Sequence, residues 1–365
     1  MISLFRPDHD EREVEAVRDV LLSGWTGLGP KVEEFEENFA RSQGAKYGVA
    51  TNSCTSALEL CLRAIGVGGG RVAVPTITFA STAHAVKLVG GEPVFCDVDS
   101  ETLMMDPGAY DEYGTRGNTG TIHAIIPVVY GGQPIQVGFK MPGDIPVIWD
   151  CAHAAGSAFD ASGKTCCWSF HSVKNLATAD GGMVTTDDAE FAAKLKKLRW
   201  LGIDKSTHDR SGKTYSWEYD IPEVGIKAHM NDITAAIGLV QLAKLPNMQA
   251  WRRVIAERYD DLLKDLPIER PPLQDGHGWH LYVIRTDHRD ELQDYMKEAG
   301  IATGVHYKPL HLMKCYYRLG HHFPVADVEW KRILSLPMHP RLTETDLQEI
   351  AMVMQGFFDG RPLGG

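Results

Sequence analysis

Lys174 is the residue whose surroundings first suggest chemistry. It lies in the stretch WSFHSVKNLATADGG (168–182), which holds no other lysine or arginine and follows the apolar pair Cys166 and Cys167. A lysine in an apolar setting has a lowered pKa, so its amine can be neutral and can form a Schiff base with an aldehyde. The alternative is a structural lysine whose stem lies along the core while its ammonium group reaches solvent.

Asp150 and His153 are candidate cofactor contacts. Asp150 ends the apolar run PVIWD, and a carboxylate in such a place needs a cationic or hydrogen-bonding partner to stay charged. A protonated ring nitrogen of a cofactor would be such a partner, whereas the alternative is an aspartate that only caps the next turn. His153 can contact a cofactor or can be an ordinary loop histidine.

Thr55 and Ser56 begin a predicted helix in the segment NSCTSALELCL. Two hydroxyls and the free N–H groups of a helix start form an anion site, although such residues also cap helices without binding a ligand. Their position after a predicted strand favours binding. A lysine amine, a buried carboxylate and a phosphate site together match the needs of pyridoxal phosphate, whose ring nitrogen the carboxylate would keep protonated.

Alternating strands and helices are predicted to position these residues. Helical spacing covers Glu11–Ser23 and residues 83–91, and the predicted strands are YGVATNS, RVAVP, EPVFCDVD, HAIIPVVYGG and IPVIWD. This alternation predicts an α/β fold, with a parallel or mixed sheet covered by helices on both faces. Ligands of such sheets bind beyond the carboxyl ends of the strands, which is where the candidate residues lie.

The character of the predicted elements changes after about residue 245. We therefore expect a large domain over residues 1–245 and a smaller α/β domain over residues 246–365. The smaller domain is predicted to contain a long helix over residues 251–266 and a second strand within IATGVHYKPLH (301–311).

The composition argues against several classes of protein. The chain has 365 residues, of which 44% are hydrophobic, so a large core can form. A net charge of −11 without a dense basic block argues against a nucleic-acid partner. Seven cysteines without a CxxC pair predict a reducing, cytoplasmic setting, and the lack of a long apolar run predicts no membrane partner. No metal site is expected.

The chain resembles the DegT/StrS-type nucleotide-sugar aminotransferases, pyridoxal-phosphate enzymes of the aspartate-aminotransferase fold (fold type I). The segments that carry the resemblance follow the family order over nearly the whole chain: SGWTGLGPKVEEFEENFA, TNSCTSALEL, VPTITFASTAHAV, GGEPVFCDVD, IWDCAHAAGS, SFHSVKNLATADGGMVTT, LRWLGID, MNDITAAIGLVQL, GVHYKPLH and LSLPMHP. The resemblance implies a mostly parallel seven-stranded sheet with helices on both faces, plus a smaller C-terminal α/β domain. It also implies a homodimer with shared active sites.

The resemblance further implies a role for each cofactor contact. Lys174 would form the internal aldimine and then move a proton between substrate and cofactor carbons. Asp150 would pair with the pyridine nitrogen, and His153 would lie near the phenolic oxygen. Phe79 would stack on the ring. The phosphate would be held by Thr55, Ser56, Ser169 and, from the neighbouring subunit, Lys227, which stands where relatives often have asparagine.

The retained Lys174 favours transamination over the dehydration that relatives with histidine at this position perform. The expected reaction is ping-pong transfer of an amino group from L-glutamate to a nucleotide-linked keto-sugar, of the 4-keto-6-deoxy type in most relatives. Candidate contacts to the sugar and diphosphate are Trp25, Thr26, His306, Tyr307, Lys308 and His311. The alternative for the cluster 306–311 is loop packing. The nucleotide, the ring carbon and the pathway stay open.

Two rival functions remain. The first is an aminotransferase that acts on a free keto-cyclitol or keto-sugar. The second is a non-catalytic regulatory member of the fold, which would not need Lys174, Asp150 and the phosphate site intact.

Overall fold

The computed structural model describes residues 1–106, 121–135, 145–204, 218–317 and 322–361. The α-helices are α1 (Glu11–Ser23), α2 (Pro30–Ser42), α3 (Cys54–Ala64), α4 (Ala80–Leu88), α5 (Ala189–Leu198), α6 (Asp232–Leu262), α7 (Arg289–Glu298), α8 (Ala326–Glu329) and α9 (Glu344–Phe358). The strands are β1 (Tyr47–Thr51), β2 (Arg71–Pro75), β3 (Glu92–Cys96), β4 (Ile122–Ile125), β5 (Ile148–Asp150), β6 (Thr165–Ser169), β7 (Gly182–Thr186), β8 (Tyr282–Arg285) and β9 (Ile333–Leu336).

Two neighbouring sheets form the frame of the first part of the chain. One has the strand order β1-β7-β6-β5 and the other β3-β2-β4. Strand β2 is parallel to β3 and β4, and β5 is parallel to β6, whereas β7 is antiparallel to both β6 and β1. Isolated parallel bridges, Ile125 to Val147 and Val128 to Asp150, link the β4 side to the β5 side. The predicted α/β fold is therefore confirmed, with mixed strand pairing.

The strands are buried because helices cover them. Strand β7 is buried at all five positions, and β2 at four of its five. Aromatic side chains fill the space between α2 and the sheet: Phe39 packs edge-on against Trp168 and Phe170, with ring centroids 5.3 and 4.9 Å apart. Fully buried strands read as continuous apolar runs, which is why β2 could be located from the sequence. No strand was predicted over β6 or β7.

The long helix of the C-terminal part was placed wrongly. It was expected over residues 251–266, but α6 begins at Asp232 and ends at Leu262. Asn231 caps it by accepting a hydrogen bond from the Thr234 N–H at 2.9 Å, and the helix continues through Pro246. The expected domain boundary at residues 245 and 246 thus falls inside a continuous helix.

The predicted second strand over residues 301–311 is also wrong. Ile301 and Gly304 form single bridges, to Ile2 and Ser335, and the strand that pairs with β8 is β9. All four residues of β9 are buried, so burial of an apolar run decided the pairing.

Helix α4 begins at Ala80, three residues before the predicted start. Ser81 and Thr82 consequently lie in its first turn, next to the end of β2. None of the helices in the described part of the chain combines the length and apolar character needed to cross a bilayer. All seven cysteines are free, and only Cys315 is exposed.

Asp232 fixes the start of α2 against the start of α6. Its side chain is 2% exposed, and its Oδ1 accepts hydrogen bonds from the N–H groups of Gly29 and Val32, both at 3.0 Å. Its own N–H donates to the Gly27 carbonyl at 2.8 Å. One buried carboxylate thereby caps α2 and anchors the loop that precedes it.

Replacing Asp232 with alanine should lower the free energy of unfolding by about 1–3 kcal/mol, because two N–H groups would lose their buried acceptor. The matched control is Asp19→Ala, which removes an exposed carboxylate from α1. Urea denaturation of both variants checks the prediction. Equal stabilities of the two variants would contradict it.

Candidate active site

Lys174 lies in the connection between β6 and β7. Because these strands are antiparallel neighbours, the connection stays at the end of the sheet. The connection between these strands is closed by hydrogen bonds from the Phe170 N–H to the Gly181 carbonyl at 2.9 Å and from the Thr178 N–H to the Phe170 carbonyl at 2.8 Å. Asp150 ends β5, which lies parallel to β6. The carboxylate and the lysine are therefore presented at the same edge of the sheet.

The environment of Lys174 favours a reactive amine. The residue as a whole keeps some exposed surface, yet burial is the strongest influence on its amine and lowers its pKa to about 8. The charge of Asp150 opposes this effect and favours the ammonium form. A lysine with such a pKa is partly neutral near neutral pH and can both accept and return a proton.

Asp150 is buried and held from several sides. Its Oδ2 accepts a hydrogen bond from the Thr82 hydroxyl at 2.8 Å, and its Oδ1 accepts one from the Ala152 N–H at 3.1 Å. The Cys54 thiol lies 4.0 Å from Oδ1. Burial raises the pKa of Asp150, while the two hydrogen bonds and the charge of Lys174 act in the opposite direction.

His153 is neutral and oriented. The Gly131 N–H donates to its Nδ1 at 3.2 Å, so the ring proton belongs on Nε2, which lies 3.1 Å from the Tyr307 hydroxyl. Burial, followed by the charge of Lys174, holds its pKa well below the usual value. His153 can therefore donate to Tyr307 and leave the tyrosine proton free for another acceptor.

The start of α3 brings hydroxyls and helix N–H groups together. Ser53 caps the helix by accepting from the Ser56 N–H at 3.1 Å, and the Thr55 and Ser81 hydroxyls lie 2.7 Å apart, so the first turns of α3 and α4 meet. Gly182 allows this turn to approach β7, since a Cβ there would come within 2.4 Å of the Ser53 backbone. Hydroxyls and helix N–H groups together suit a phosphate.

Phe79 offers an aromatic face beside this turn. It precedes the first residue of α4 and is 61% exposed, which is unusual for a phenylalanine. Its ring centroid lies 6.0 Å from that of Tyr307. Ser169 ends β6 and is buried, with its hydroxyl 3.4 Å from the His171 N–H.

Further histidines close the site from the C-terminal part of the chain. The ring of His280 lies 4.3 Å from that of His153, and its Nδ1 lies 3.3 Å from Oδ1 of Asn175. The amide of Asn175 also donates to the Gly278 carbonyl at 2.6 Å, which fixes the residue next to Lys174. Neither His280 nor Asn175 is predicted as a site residue from the sequence.

The predicted substrate residues of the 306–311 segment divide into two groups. His306 and Tyr307 face the site, and burial followed by the charge of Lys174 lowers the pKa of His306 to about 4. Lys308 is exposed, with its ammonium group 5.6 Å from the centre of the Trp330 ring. His311 is buried between the Thr76 hydroxyl at 2.6 Å and the Asp327 carboxylate at 2.8 Å, so both of its ring nitrogens are engaged.

A separate cluster contains Trp25, Thr26 and Lys227. The Lys227 ammonium group lies 5.8 Å from the centre of the Trp200 ring, and Trp25 and Thr26 border the same cavity as Trp200. These three predicted residues thus lie together around Trp200.

Thr82 and Ser81 were missed because the sequence placed α4 three residues too late. The predicted helix begins after both residues, so their hydroxyls were not recognised as part of a first helical turn that follows a strand. Thr55 was identified from that same arrangement. Asn175 directly follows Lys174, but its partners lie 20 and 103 residues away. The residues that neighbour Asn175 in the sequence give no indication of such distant contacts.

The residues present fit pyridoxal phosphate. Thr55, Ser56 and Ser81 offer hydroxyls for a phosphate, Asp150 is a buried carboxylate for a protonated ring nitrogen, and Lys174 is an amine for an aldehyde. Among the described residues, no group of three or more histidine, cysteine, aspartate or glutamate side chains is arranged to hold a metal ion.

Comparisons with known proteins identify the family of this chain. The model of the DegT/DnrJ/EryC1/StrS aminotransferase family matches residues 7–355. Spr1654 from Streptococcus pneumoniae, described as a candidate sugar aminotransferase and solved in its PMP form, is 30% identical over 99% of this chain and 100% of its own, with a TM-score of 0.89. The same protein has also been solved in a PLP form.

Two further solved structures are similar over nearly their whole length. The aminotransferase TlmJ from Streptoalloteichus hindustanus is 32% identical, with 99% of each chain covered and a TM-score of 0.86. PseC from Helicobacter pylori, an aminotransferase involved in the biosynthesis of pseudoaminic acid, is 27% identical over 98% of this chain and 99% of its own, with a TM-score of 0.86.

Replacing Asp150 with asparagine should shift the reactivity of Lys174 to lower pH. The Lys174 amine is protonated below a pKa of about 8 and nucleophilic above it, and the Asp150 charge raises that pKa. Without this charge, the neutral amine should appear at lower pH. The measurement is the pH dependence of Lys174 modification by an amine-directed reagent in cofactor-free protein, read by peptide mass spectrometry.

The control for this experiment is Asp160→Asn, which neutralises an exposed carboxylate. It should leave the midpoint of the modification curve unchanged. A midpoint for Asp150→Asn that equals the wild-type value, or lies above it, would show that the two charges do not interact as described.

Proposed function

We propose that this chain, which belongs to the DegT/DnrJ/EryC1/StrS aminotransferase family, transfers an amino group from L-glutamate to the keto group of a nucleotide-linked 4-keto-6-deoxy sugar. As a member of this family, it is a pyridoxal-phosphate-dependent sugar aminotransferase. The observation that carries the proposal is the buried pair of Asp150 and Lys174 at the carboxyl edge of the sheet.

Lys174 is proposed to hold and move the transferred proton. Pyridoxal phosphate, when bound, supplies an electron sink that stabilises negative charge on the carbon that loses a proton. A Lys174 amine with a pKa near 8 can take up a proton at Nζ in its neutral form and return it in its cationic form. Both forms are accessible at neutral pH, as a ping-pong cycle with two opposite half-reactions requires.

The remaining cofactor contacts follow from the contacts already described. Asp150, oriented by Thr82, would face the ring nitrogen, and Phe79 would cover one face of the ring. The phosphate would lie at the start of α3, against Thr55, Ser56 and Ser169. Lys227 would reach it from a partner subunit. His153 and Tyr307 would contact the polar edge of the ring.

The substrate contacts are proposed from two sides. Trp25 and Thr26 come from the loop before α2, and His306, Tyr307 and Lys308 come from the segment that faces Lys174 and its rim. We leave His311 out because Thr76 and Asp327 already occupy its ring nitrogens.

Sugar chemistry is supported by the relatives. Spr1654 is described as a candidate sugar aminotransferase, and PseC acts in the biosynthesis of pseudoaminic acid. The nucleotide linkage and the 4-keto-6-deoxy pattern are our extension to this chain. A free keto-cyclitol or keto-sugar is the second candidate. The intact pair of Lys174 and Asp150 argues against a non-catalytic regulatory role.

We further propose that the two linked sheets act as one seven-stranded sheet within a domain over residues 1–245, followed by a smaller domain over residues 246–365. The isolated bridges between β4 and β5 support the first point. We also propose a homodimer with shared active sites, in which Lys227 would reach the phosphate of the partner subunit. We place the enzyme in the cytoplasm because all seven cysteines are free.

Incubation of the purified protein with pyridoxal phosphate, L-glutamate and a nucleotide-linked 4-keto-6-deoxy sugar should yield the amino sugar and 2-oxoglutarate, detected by mass spectrometry. Lys174→Ala should lower turnover by about 10²–10⁴-fold, because the proton carrier is lost. The control is Lys164→Ala, which removes a lysine that hydrogen-bonds the Asp160 carbonyl at 2.8 Å. Full turnover by Lys174→Ala would contradict the proposed mechanism. Turnover of a free keto-cyclitol, without turnover of the nucleotide-linked sugar, would contradict the proposed substrate.

The proposed dimer predicts a sedimentation mass of twice 40.4 kDa. Analytical ultracentrifugation of the wild-type protein across a dilution series measures this mass. A monomer that retains full activity at the lowest concentration would contradict shared active sites.

A further inference from the structure

Five ring side chains form a closed circuit of contacts at the wall of the candidate site. This ring cluster begins at Phe5, whose ring centroid lies 5.5 Å from that of His280 and 5.6 Å from that of His306. The ring of His153 lies 4.3 Å from His280 and 6.1 Å from Tyr307. The rings of Tyr307 and His306, 5.0 Å apart, complete the circuit. Because each ring packs against two others, a shift of one disturbs its neighbours.

Phe5 is the member of the ring cluster without a polar atom. Its ring is nearly parallel to that of His280, at an interplanar angle of 11°, and meets the ring of His306 edge-on, at 70°. It comes from the N-terminal segment, residues 1–10, whereas the other members come from the loop after β5 and from the C-terminal part of the chain. An apolar ring against two imidazoles keeps water from them, which favours their neutral forms.

The N-terminal segment is attached to the C-terminal part of the chain just before Phe5. The Ile2 N–H donates to the Gly300 carbonyl at 2.9 Å, and the Met338 N–H donates to the Leu4 carbonyl at 3.1 Å. Ile2 is also buried in the core of that part. The backbone that carries Phe5 is therefore fixed in place by its neighbours.

The segment is attached again after Phe5, beside the connection between β6 and β7. His9 donates from Nε2 to the Ala177 carbonyl of this connection at 3.1 Å. The Asp8 carbonyl accepts from the Gln241 amide at 2.9 Å, and the His9 carbonyl accepts from the Arg341 guanidinium at 2.7 Å. The N-terminal segment thus spans the ring cluster with a fixed point on each side.

Gly304 shows how closely the segment lies on the loop that carries His306. A Cβ at Gly304 would come within 2.8 Å of Cδ2 of Leu4 and within 2.9 Å of Cε1 of His306. On its other side, Nδ1 of His306 lies 2.8 Å from the Ser335 hydroxyl. The position of the imidazole is therefore set by the N-terminal segment as well as by its own loop.

His306 lies among groups whose charge depends on pH. The titratable groups that face it are Lys174, His153, His280, Tyr307 and Tyr130, whose hydroxyl donates to the His306 carbonyl. Burial, followed by the charge of Lys174, lowers the pKa of His306 to about 4. The ring of Phe5 supplies part of that burial. Without it, His306 would take up a proton beside Lys174 at a higher pH.

We propose that Phe5 is a positioning residue of the active site: by closing the ring cluster, it holds His306 and Tyr307 where they face the substrate. This inference rests on the proposed function, which makes these two residues substrate contacts. The competing role for Phe5 is purely structural, in which its loss lowers the stability of the fold and leaves the site unchanged.

The first test measures how modification of His306 by diethyl pyrocarbonate depends on pH in cofactor-free protein, read by peptide mass spectrometry. The reagent acylates neutral imidazole, so the curve reports the protonation of His306. The wild-type rate should stay constant over about pH 5–8, because the ring is neutral there. Phe5→Ala exposes the ring to water, so its pKa should rise towards the ordinary 6.5 and the rate should fall at the acidic end.

The matched control is Phe358→Ala, which removes another partly buried phenylalanine, at the end of α9. It should give the wild-type curve. Phe5→Leu keeps part of the apolar cover, so its midpoint should lie between those of the wild type and Phe5→Ala. It also provides the test if Phe5→Ala does not fold. Wild-type curves for the folded Phe5 variants would overturn the inference.

The second test is kinetic and uses the cofactor-loaded enzyme. Phe5→Ala should lower kcat/KM for the nucleotide-linked 4-keto-6-deoxy sugar by about 10–10²-fold, mainly through KM, because the substrate contacts are displaced. Phe358→Ala should retain the wild-type value. An unchanged KM in Phe5→Ala would contradict the positioning role.

One further measurement separates this inference from the proposed function. The half-reaction of the wild type with L-glutamate, measured as release of 2-oxoglutarate in a single turnover, uses no sugar. If the wild type performs it and the Phe5 variants match the wild type in both tests, only the role of Phe5 fails. If the wild type does not perform it, the proposed function fails, and the modification curves still decide whether Phe5 positions His306.

Discussion

The charge interaction between Asp150 and Lys174 in a buried site is the constraint on which the rest of the structure depends. Burial alone would leave Lys174 neutral and Asp150 protonated, because a low-polarity environment disfavours both charged forms. The opposite charges counteract part of that effect for each other, although burial remains the larger influence, so the pKa of Asp150 stays raised and that of Lys174 stays lowered. The result is a carboxylate that can stabilise a cation and an amine that can change its protonation state near neutral pH.

The fold brings these two groups together through its strand order. Parallel strands β5 and β6 end at one edge, and antiparallel β7 returns the chain so that the connection with Lys174 stays there. The first turns of α3 and α4 meet at the same edge through Thr55 and Ser81. Residues 278–282 close it by placing His280 over His153. Chemistry at one edge is thus built from segments more than 200 residues apart.

Local patterns in the sequence predicted the groups that lie at the ends of strands. Asp150 ends a predicted strand and Thr55 follows one, so strand prediction placed both at the edge of the sheet. Lys174 was identified from its apolar surroundings, since no strand was predicted over β6 or β7. Thr82 was missed because helix α4 was started too late, and His280 was missed because its contacts are with distant residues. The long α6 and the pairing of β8 with β9 were decided by tertiary burial, which a single sequence does not display.

The central claim is that Lys174 is the residue that carries the cofactor. The most direct measurement is to reduce the cofactor-loaded wild-type protein with borohydride, digest it and locate the added cofactor mass by peptide mass spectrometry. We predict that the mass lies on Lys174, in the peptide that joins β6 to β7. Attachment to a different lysine, or no attachment after loading, would contradict the account.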